Sequence, residues 1–346
     1  MSINALFNTD FPLIQAPMAG VQSSALAIAV SNAGALGSLP CAMLNAESLR
    51  RELTAITSQT NRPYNVNFFC HAPAEFDAQR EAAWKASLAP FYREFAIDAQ
   101  SLPSAPSRAP FDAAMADVLA EFKPPVVSFH FGLPSPQLLE RVRGWGAKVM
   151  SSATTVVEAL WLEAHGADII IAQGLEAGGH RGMFLTDDLT TQIGTFALLP
   201  QVLRAVRVPV VAAGGIADAQ GVTAALRLGA AAVQIGTAYL LCPEATTTPM
   251  HRAALKSDTA RHTALTNLFT GRPARGIMNR FMREHGPISP LAPAFPLATT
   301  AMMPLRQQAE AKGSGDFSPL WSGQNASGCK EISAAALTLE LAQGAR

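Results

Sequence analysis

Eight short apolar runs punctuate the chain, and most are too continuous in hydrophobicity to have a wet face. They span residues 12–20 (PLIQAPMAG), 35–39 (ALGSL), 64–69 (YNVNFF), 126–132 (VVSFHFG), 147–153 (AKVMSSA), 167–174 (ADIIIAQG), 208–215 (VPVVAAGG) and 231–240 (AAVQIGTAYL). Unbroken, β-branched runs of this kind mark parallel strands buried on both faces. Between them the apolar spacing turns helical. SSALAIAVSNAG follows the first run, PQLLERVRGWG joins the fourth to the fifth, TVVEALWLEAHG the fifth to the sixth, and DAQGVTAALRLG the seventh to the eighth. Glycine closes each of these segments, a common helix stop. Eight strands alternating with helices predict an α/β fold of the (β/α)8 TIM-barrel type. A doubly wound open sheet is the alternative.

Two stretches exceed what a minimal barrel needs. Residues 71–125 are too long for one crossover helix, and they hold the aromatic-rich AAWKASLAPFYREF and the Pro/Ser-rich SLPSAPSRAP. Residues 242–346 are longer than one closing helix. The expected organisation is a barrel core over 1–241 with an insertion at about 71–125. A C-terminal helical region, 242–346, would close the barrel and contribute to a smaller, substrate-covering subdomain.

Composition narrows the classes of function. The chain has 346 residues with 26 basic and 26 acidic side chains, so no field of one sign invites nucleic acid or a membrane surface. Four scattered cysteines, Cys41, Cys70, Cys242 and Cys329, form no C-x-x-C pair and read as reduced thiols. No signal-peptide pattern and no membrane-length apolar run is evident. The expectation is a cytoplasmic protein, monomeric or homodimeric, that acts on small molecules.

Barrels collect function at the C-terminal ends of their strands. Gly214–Gly215 ends the seventh run, and Gly236–Thr237 lies in the eighth. A glycine pair can serve a tight turn alone, but two at consecutive strand ends suit a phosphate approached by backbone N–H groups. Asn67, Gln173 and the backbone of Ala16, Pro17 and Met18 add polar groups for a larger planar ligand such as a flavin. Neither G-x-G-x-x-G nor the P-loop pattern is present to support a different nucleotide fold.

His180 is the catalytic candidate. It sits in QGLEAGGHRG, a run expected to be a flexible turn after the sixth strand. Neutral imidazole there is suited to take a proton from a carbon acid. His130 is the second candidate, although a histidine packed between Phe129 and Phe131 reads equally well as structural, and His71 is weaker. Glu176 receives no chemical role. His165, His251, His262 and His285 read as surface residues. No histidine or carboxylate spacing suggests a metal, and no G-x-S-x-G elbow suggests a serine hydrolase. GRPARG (271–276) is either a basic contact for an anionic substrate or a solvated turn.

Taken together, IQAPMAG, VNFF, VVSFHFGLP, AQGLEAGGHRG, VVAAGGIAD and AVQIGTAYL resemble the nitronate monooxygenases, in particular their class I members; FTGRPARG and LWSGQ extend the likeness. The resemblance implies a TIM barrel binding FMN non-covalently. The cofactor would contact Ala16, Pro17, Met18, Asn67, Gln173 and Gly178. Its phosphate would lie against Gly214, Gly215 and the segment Gln234, Ile235, Gly236, Thr237. His180 would be the base and His130 would line the substrate pocket. The implied reaction is oxidative denitrification of an alkyl nitronate, such as propionate 3-nitronate, by O2 to a carbonyl compound and nitrite. Some related barrels carry a lysine near the flavin after strand five, where this chain has SSATT.

Three rivals share the pattern. An FMN-dependent NAD(P)H reductase of enoyl-ACP or quinone type would use the same cofactor site. A flavin- or phosphate-binding barrel without turnover would keep the glycines and not need His180. A phosphosugar isomerase or aldolase would need a lysine or carboxylate at a strand end, and Lys148 lies too early in its strand.

Overall fold

The apolar runs pair side by side in the order their burial predicts. In the computed structural model, which describes residues 6–99 and 108–345, the strands are β1 (Leu13–Gln15), β2 (Gly37–Pro40), β3 (Tyr64–Phe69), β4 (Val126–His130), β5 (Lys148–Ala153), β6 (Ile169–Gln173), β7 (Gly179–His180), β8 (Val210–Ala213), β9 (Ala232–Ile235), β10 (Thr263–Thr266) and β11 (Ala274–Ile277). Most of the Pro/Ser-rich stretch, residues 100–107, lies outside the described residues.

Eight strands form one parallel sheet in the order β1-β9-β8-β6-β5-β4-β3-β2. A parallel bridge between Ile14 and Leu36 brings β1 back to the start of β2 and closes the ring. The result is a (β/α)8 TIM barrel, and the open-sheet alternative falls away. Outward-facing Leu13, Ile170, Val210 and Val233 pack against helix residues such as Leu26, Leu162, Leu198 and Val222. Helix Ala334–Ala342 returns from the far end of the chain to seat Leu337 and Leu341 in that same layer.

Inside the barrel, side chains two residues apart point inward. The inner column changes character along the strands. Near the N-terminal ends it is apolar, with Ile14, Leu36, Val126, Met150, Ile169 and Val211 in one cluster. Toward the C-terminal ends it becomes polar: Ser38, Asn65, Asn67, Ser128 and Ser152 are all buried. Asn65 Nδ2 donates to Ser38 Oγ at 3.0 Å and Ser128 Oγ at 2.9 Å. The barrel therefore has a dry floor and a hydrogen-bonding mouth.

The long insertion and the C-terminal region share a second core. Trp84, Leu88, Phe91 and Tyr92 of helix Ala78–Glu94 pack against Leu268, Phe281, Met302, Leu305 and Phe317. Tyr92 Oη donates to the Ala301 carbonyl across it at 2.8 Å. Two expectations need correction. The region after residue 242 is not only helical, because it supplies β10 and β11. The run before His180 is not a free turn either: Gly179–His180 is a strand, paired antiparallel with β11 in a three-stranded sheet of order β10-β11-β7. A two-residue strand has no periodicity of its own, so only its partner reveals it.

Gly37 is required by packing. A Cβ there would meet the Ala27 carbonyl oxygen at 2.0 Å, whereas at Gly144, exposed near a helix end, it would meet nothing within 4 Å. Gly37→Ala is expected to lower stability by about 1–3 kcal/mol in urea unfolding, with Gly144→Ala within ~1 kcal/mol of the parent. Equal effects of the two would contradict this account of the packing between β2 and its helix.

Candidate active site

The polar mouth of the barrel opens into one pocket. Its walls include Asn67 and Phe69 of β3, Ser128 and His130 of β4, Ile171 and Gln173 of β6, Ala213 of β8 and Gln234 of β9, each an inward position at its strand's C-terminal end. Ala16, Pro17 and Met18 after β1 line it, as do Gly178, Gly214, Gly215, Gly236 and Thr237. Eleven of the residues expected to hold a cofactor thus converge with His180 and His130 on one cavity. Ile235 is the exception. It alternates outward, its side chain is only 2% exposed in the barrel-to-helix layer, and its carbonyl accepts from Ala16 N at 2.8 Å.

His180 is held by its backbone. Gln173 Nε2 donates to the His180 carbonyl at 3.0 Å, and Gly182 N donates to Gln173 Oε1 at 2.7 Å, so both ends of one amide clamp the chain on either side of Arg181. Both ends of the Gln173 side chain, expected to face a cofactor, therefore already serve the protein. Arg181 is fully buried and donates to the carbonyls of Gln173 at 2.8 Å and Gly174 at 2.7 Å, and to Gln192 Oε1 at 2.9 Å. These bonds turn the chain back from β6 toward β11.

The His180 imidazole sits among rings. Phe69, Phe131, Phe295 and Trp321 have centroids 6.0, 6.0, 5.4 and 5.6 Å away. Its Nε2 hydrogen-bonds Thr270 Oγ1 at 2.9 Å. Desolvation first, then the nearby guanidiniums of Arg108 and Arg272 and, once protonated, the imidazoles of His130 and His71, hold its pKa well below the ordinary histidine value. Among the described residues no carboxylate acts in the opposite direction. His180 is therefore neutral through the physiological range.

His130 backs it. Its Nε2 donates to the His180 carbonyl at 3.1 Å, so Nδ1, 3.1 Å from Ser152 Oγ, is the acceptor there. Burial lowers its pKa to about 4. The next residue, Phe131, is left-handed at φ 69°. That conformation is costly for a ring-bearing residue. It presents the ring to His130 at 4.6 Å and to the Arg272 guanidinium at 4.1 Å. His71 packs at 4.7 Å from Phe295, and burial brings its pKa to about 4 as well.

Across the mouth lies a cradle of small residues. Gly214 and Gly215 adopt φ 118° and 74°, open to glycine and strained for other residues. Loop 321–325 covers them. Gly323 N donates to Thr237 Oγ1 at 2.9 Å, Gln324 N to the Glu176 carbonyl at 2.9 Å, and Asn325 Nδ2 to the Gly215 carbonyl at 3.0 Å. At Gly178 a Cβ would meet Gly323 N at 2.5 Å, so this glycine makes room for the loop. Glu176 is structural: its carboxylate accepts from Thr195 N and Oγ1 at 2.8 Å, standing in for a side-chain cap on helix Thr195–Ala205.

Several pocket residues escape sequence reasoning. Arg108 comes from the end of the Pro/Ser-rich stretch; Trp321, Gly323 and Asn325 come from WSGQN. The sequence marks that motif only as part of the family likeness. GRPARG is neither a solvated turn nor a free basic patch. Arg275 is buried in β11 and donates to the Leu175 carbonyl at 2.9 Å, while Arg272 donates to the Met183 carbonyl. His251, expected at the surface, is 3% exposed, with its pKa lowered to about 4 by burial. His165 and His262 are exposed and His285 is partly buried. Among the described residues no group of three His, Cys, Asp or Glu could hold a metal, and no helix is long and apolar enough to cross a membrane.

A family model described as nitronate monooxygenase matches residues 2–344. The chain is 43% identical to the nitronate monooxygenase of Pseudomonas aeruginosa, covering 99% of this chain and 98% of that protein. It is 42% identical to that of Paraburkholderia phytofirmans, over 97% of this chain and 92% of the relative. The structure of a nitroalkane oxidase from Streptomyces ansochromogenes superposes with a TM-score of 0.90 at 38% identity, covering 99% of each chain.

Buried neutral histidines make stability depend on pH. Unfolding restores an ordinary pKa near 6.5, so between about pH 6.5 and 4 the unfolded chain binds more protons and stability falls as pH drops. The slope is about 1.4 kcal/mol per pH unit for each such group. The urea midpoint is expected to fall between pH 7 and pH 5, and His251→Gln should flatten that fall. An unchanged slope in the variant would contradict the buried, neutral assignment.

Proposed function

The chain belongs to the nitronate monooxygenase family of enzymes, and on that premise we propose that it oxidises alkyl nitronates with O2, at an FMN held in the barrel mouth, to a carbonyl compound and nitrite. The observation that carries this reading is the charge around His180. The two guanidiniums that perturb it, Arg108 and Arg272, are cationic at neutral pH, the adjoining imidazoles of His130 and His71 are neutral there, and no carboxylate among the described residues opposes them. Such a pocket favours an anion over its neutral conjugate acid. A nitronate is the anion of a nitroalkane, with its charge spread over the nitro oxygens.

The residues present fit FMN. Gln234 lines the pocket with its Oε1 buried and without a hydrogen-bond partner among the described residues, so a ligand N–H would satisfy it. Gly215 has room for close backbone approach, since even a Cβ there would come no nearer than 3.4 Å to Glu176. Gly214, Gly215, Gly236 and Thr237 would hold the phosphate, and Ala16, Pro17, Met18, Asn67, Gly178 and Gln234 the ring system. When bound, FMN would supply the redox chemistry between substrate and O2. No lysine lines the pocket among the described residues, so Arg108 and nearby Arg272 supply the positive charge facing the reacting groups.

His180 then has a limited proton-transfer role. Thr270 Oγ1 donates onward to the Arg272 carbonyl at 3.4 Å and so accepts from His180 Nε2–H. Nδ1 keeps the lone pair. That atom can take the α-proton of a neutral nitroalkane, but its depressed basicity makes the step slow. A nitronate arrives already deprotonated and skips it. The aromatic wall and the loop at 321–325 line the site beside His180.

Nitrite release from propionate 3-nitronate in air, with no pyridine nucleotide added, tests the reading; an absolute requirement for NADH would overturn it in favour of a reductase. His180→Asn is expected to lower kcat/KM for a neutral nitroalkane by about 10²–10⁴-fold and for the nitronate by roughly tenfold or less. Undiminished turnover of the nitroalkane would remove His180 as the base.

A further inference from the structure

Glu158 is a buried carboxylate that lies outside the pocket. In sequence, Thr155-Val156-Val157-Glu158 has the form of a capping box, in which the acidic side chain turns back to the N-cap amide of its own helix. Half of that pattern is realised: Thr155 Oγ1 accepts from Glu158 N at 3.2 Å at the start of helix Val156–Ala164. The carboxylate itself is diverted. Its Oε2 accepts from Thr154 N and Thr154 Oγ1, both at 2.7 Å. Its Oε1 crosses to another part of the chain, accepting from Phe184 N at 2.7 Å and Leu185 N at 3.4 Å. Glu158 and Thr154 are both 0% exposed. A helix cap alone does not need a charge buried this deeply.

The hydrogen bonds beyond Thr154 account for the burial. Thr154 Oγ1 gives its proton to Glu158 and accepts from Gln192 Nε2 at 3.0 Å; Gln192 Oε1 accepts from Arg181 Nε at 2.9 Å. Each link fixes the direction of the next, so a buried anion and a buried cation are joined through two neutral side chains. Burial first, and the like charge of Arg275 next, lower the Arg181 pKa to about 10, while Glu158 and Glu176 oppose them. Glu176 spends its carboxylate on Thr195, which leaves Glu158 as the counter-ion connected to Arg181. None of Thr154, Glu158, Arg181 and Gln192 lines the cavity. Arg181 directly follows His180, so Glu158 grips the chain just beyond the imidazole twice, at 181 through the relay and at 184 directly. Among the described residues no carboxylate perturbs the charge of His180 itself, so Glu158 reaches it through placement.

We propose that Glu158 is a positioning residue for His180: by anchoring Arg181 and Phe184 from the helix layer outside the barrel, it keeps the imidazole on Thr270 Oγ1 and in the cavity. This rests on the role given to His180 above. The leverage comes from the shortness of β7. Two residues paired with Ala274–Arg275 cannot fix the backbone that follows them, so side chains must do it. Gln173 acts at Gly182, Arg272 at Met183 and Glu158 at Phe184. Glu158→Gln keeps the shape but removes the counter-charge of Arg181, and an amide cannot accept at both of its ends as a carboxylate does. Glu158→Asp keeps the charge and loses one methylene of reach.

The Nε2–H of His180 reports the placement directly. In protein labelled with nitrogen-15 histidine its resonance is assigned by its loss in His180→Asn. Its exchange with solvent is then compared in the wild type, Glu158→Gln, Glu158→Asp and Thr154→Val. Thr154→Val leaves the carboxylate and its bond to Phe184 in place while cutting the relay to Arg181, so it tests the proposal even where Glu158→Gln does not fold. Exchange is expected to quicken about 10-fold or more in Glu158→Gln and by less in the other two, with the ring resonances of His285, stacked on Phe281 in the second core, staying in place. Kinetics supply the second readout. If Glu158 acts through His180, its removal has no further effect once the imidazole is gone. Nitrite release from propionate 3-nitronate by His180→Asn and by the His180→Asn, Glu158→Gln double variant should therefore agree within about twofold in kcat/KM, whereas a general structural role would add its own loss. A His180 exchange rate unchanged in Thr154→Val or in folded Glu158→Gln, or an additive loss in the double variant, would overturn the proposal. If the wild type released no nitrite from the nitronate, the nitronate reading would fail, and the exchange comparison would still decide the role of Glu158.

Discussion

The pairing of Gly179–His180 with Ala274–Arg275 joins two parts of the chain that neither barrel geometry nor local sequence would bring together. One partner continues from the end of β6; the other belongs to the C-terminal region that shares a core with the long insertion. Arg181 N donates to the Pro273 carbonyl at 2.9 Å and extends the pairing by one residue. The junction is expensive to build, because it buries Arg181 completely and Arg275 almost completely. Their cost is offset by carbonyl acceptors at every turn, as buried charge requires. In return, the imidazole of His180 is fixed between the barrel mouth and the aromatic cover.

The remaining chemistry follows from that placement. Once His180 is held under Phe69, Phe131, Phe295 and Trp321, it loses water, and neutrality follows. Placing the Arg108 and Arg272 guanidiniums near it, with no opposing carboxylate among the described residues, then tilts the pocket toward anions. The same low dielectric that weakens His180 as a base strengthens each charge–charge attraction available to a bound anion. The two effects agree: a site poor at generating a nitronate is well prepared to receive one. Family membership and electrostatics thus point to the same substrate class from independent directions.

Much of the fold is legible in the sequence because its strands are buried on both faces. YNVNFF and ADIIIAQG announce strands without help from their neighbours, and β3 spans the residues its pattern predicts. The strand-end glycines and His180 are legible for a related reason, since barrel topology dictates which ends meet. Other features are hidden. β7 is two residues long and depends on a partner more than ninety positions away. Arg272, Arg275 and His251 look like surface residues because polarity usually implies exposure, and only their tertiary acceptors or packing reverse that rule. Ile235 sits beside Gln234 in a glycine-rich motif, yet strand alternation turns it to the opposite face. Arg108 follows a Pro/Ser-rich stretch without periodicity, so nothing local distinguishes it from a solvated arginine.

Central to the account is a flavin in the barrel mouth that takes electrons from a nitronate. The most direct measurement is the absorbance spectrum of the purified protein, followed by anaerobic titration with propionate 3-nitronate and, separately, with NADH. The account predicts a bound-flavin spectrum whose visible bands change promptly with the nitronate and not with NADH. A flavin bleached rapidly by NADH and unaffected by the nitronate would contradict it.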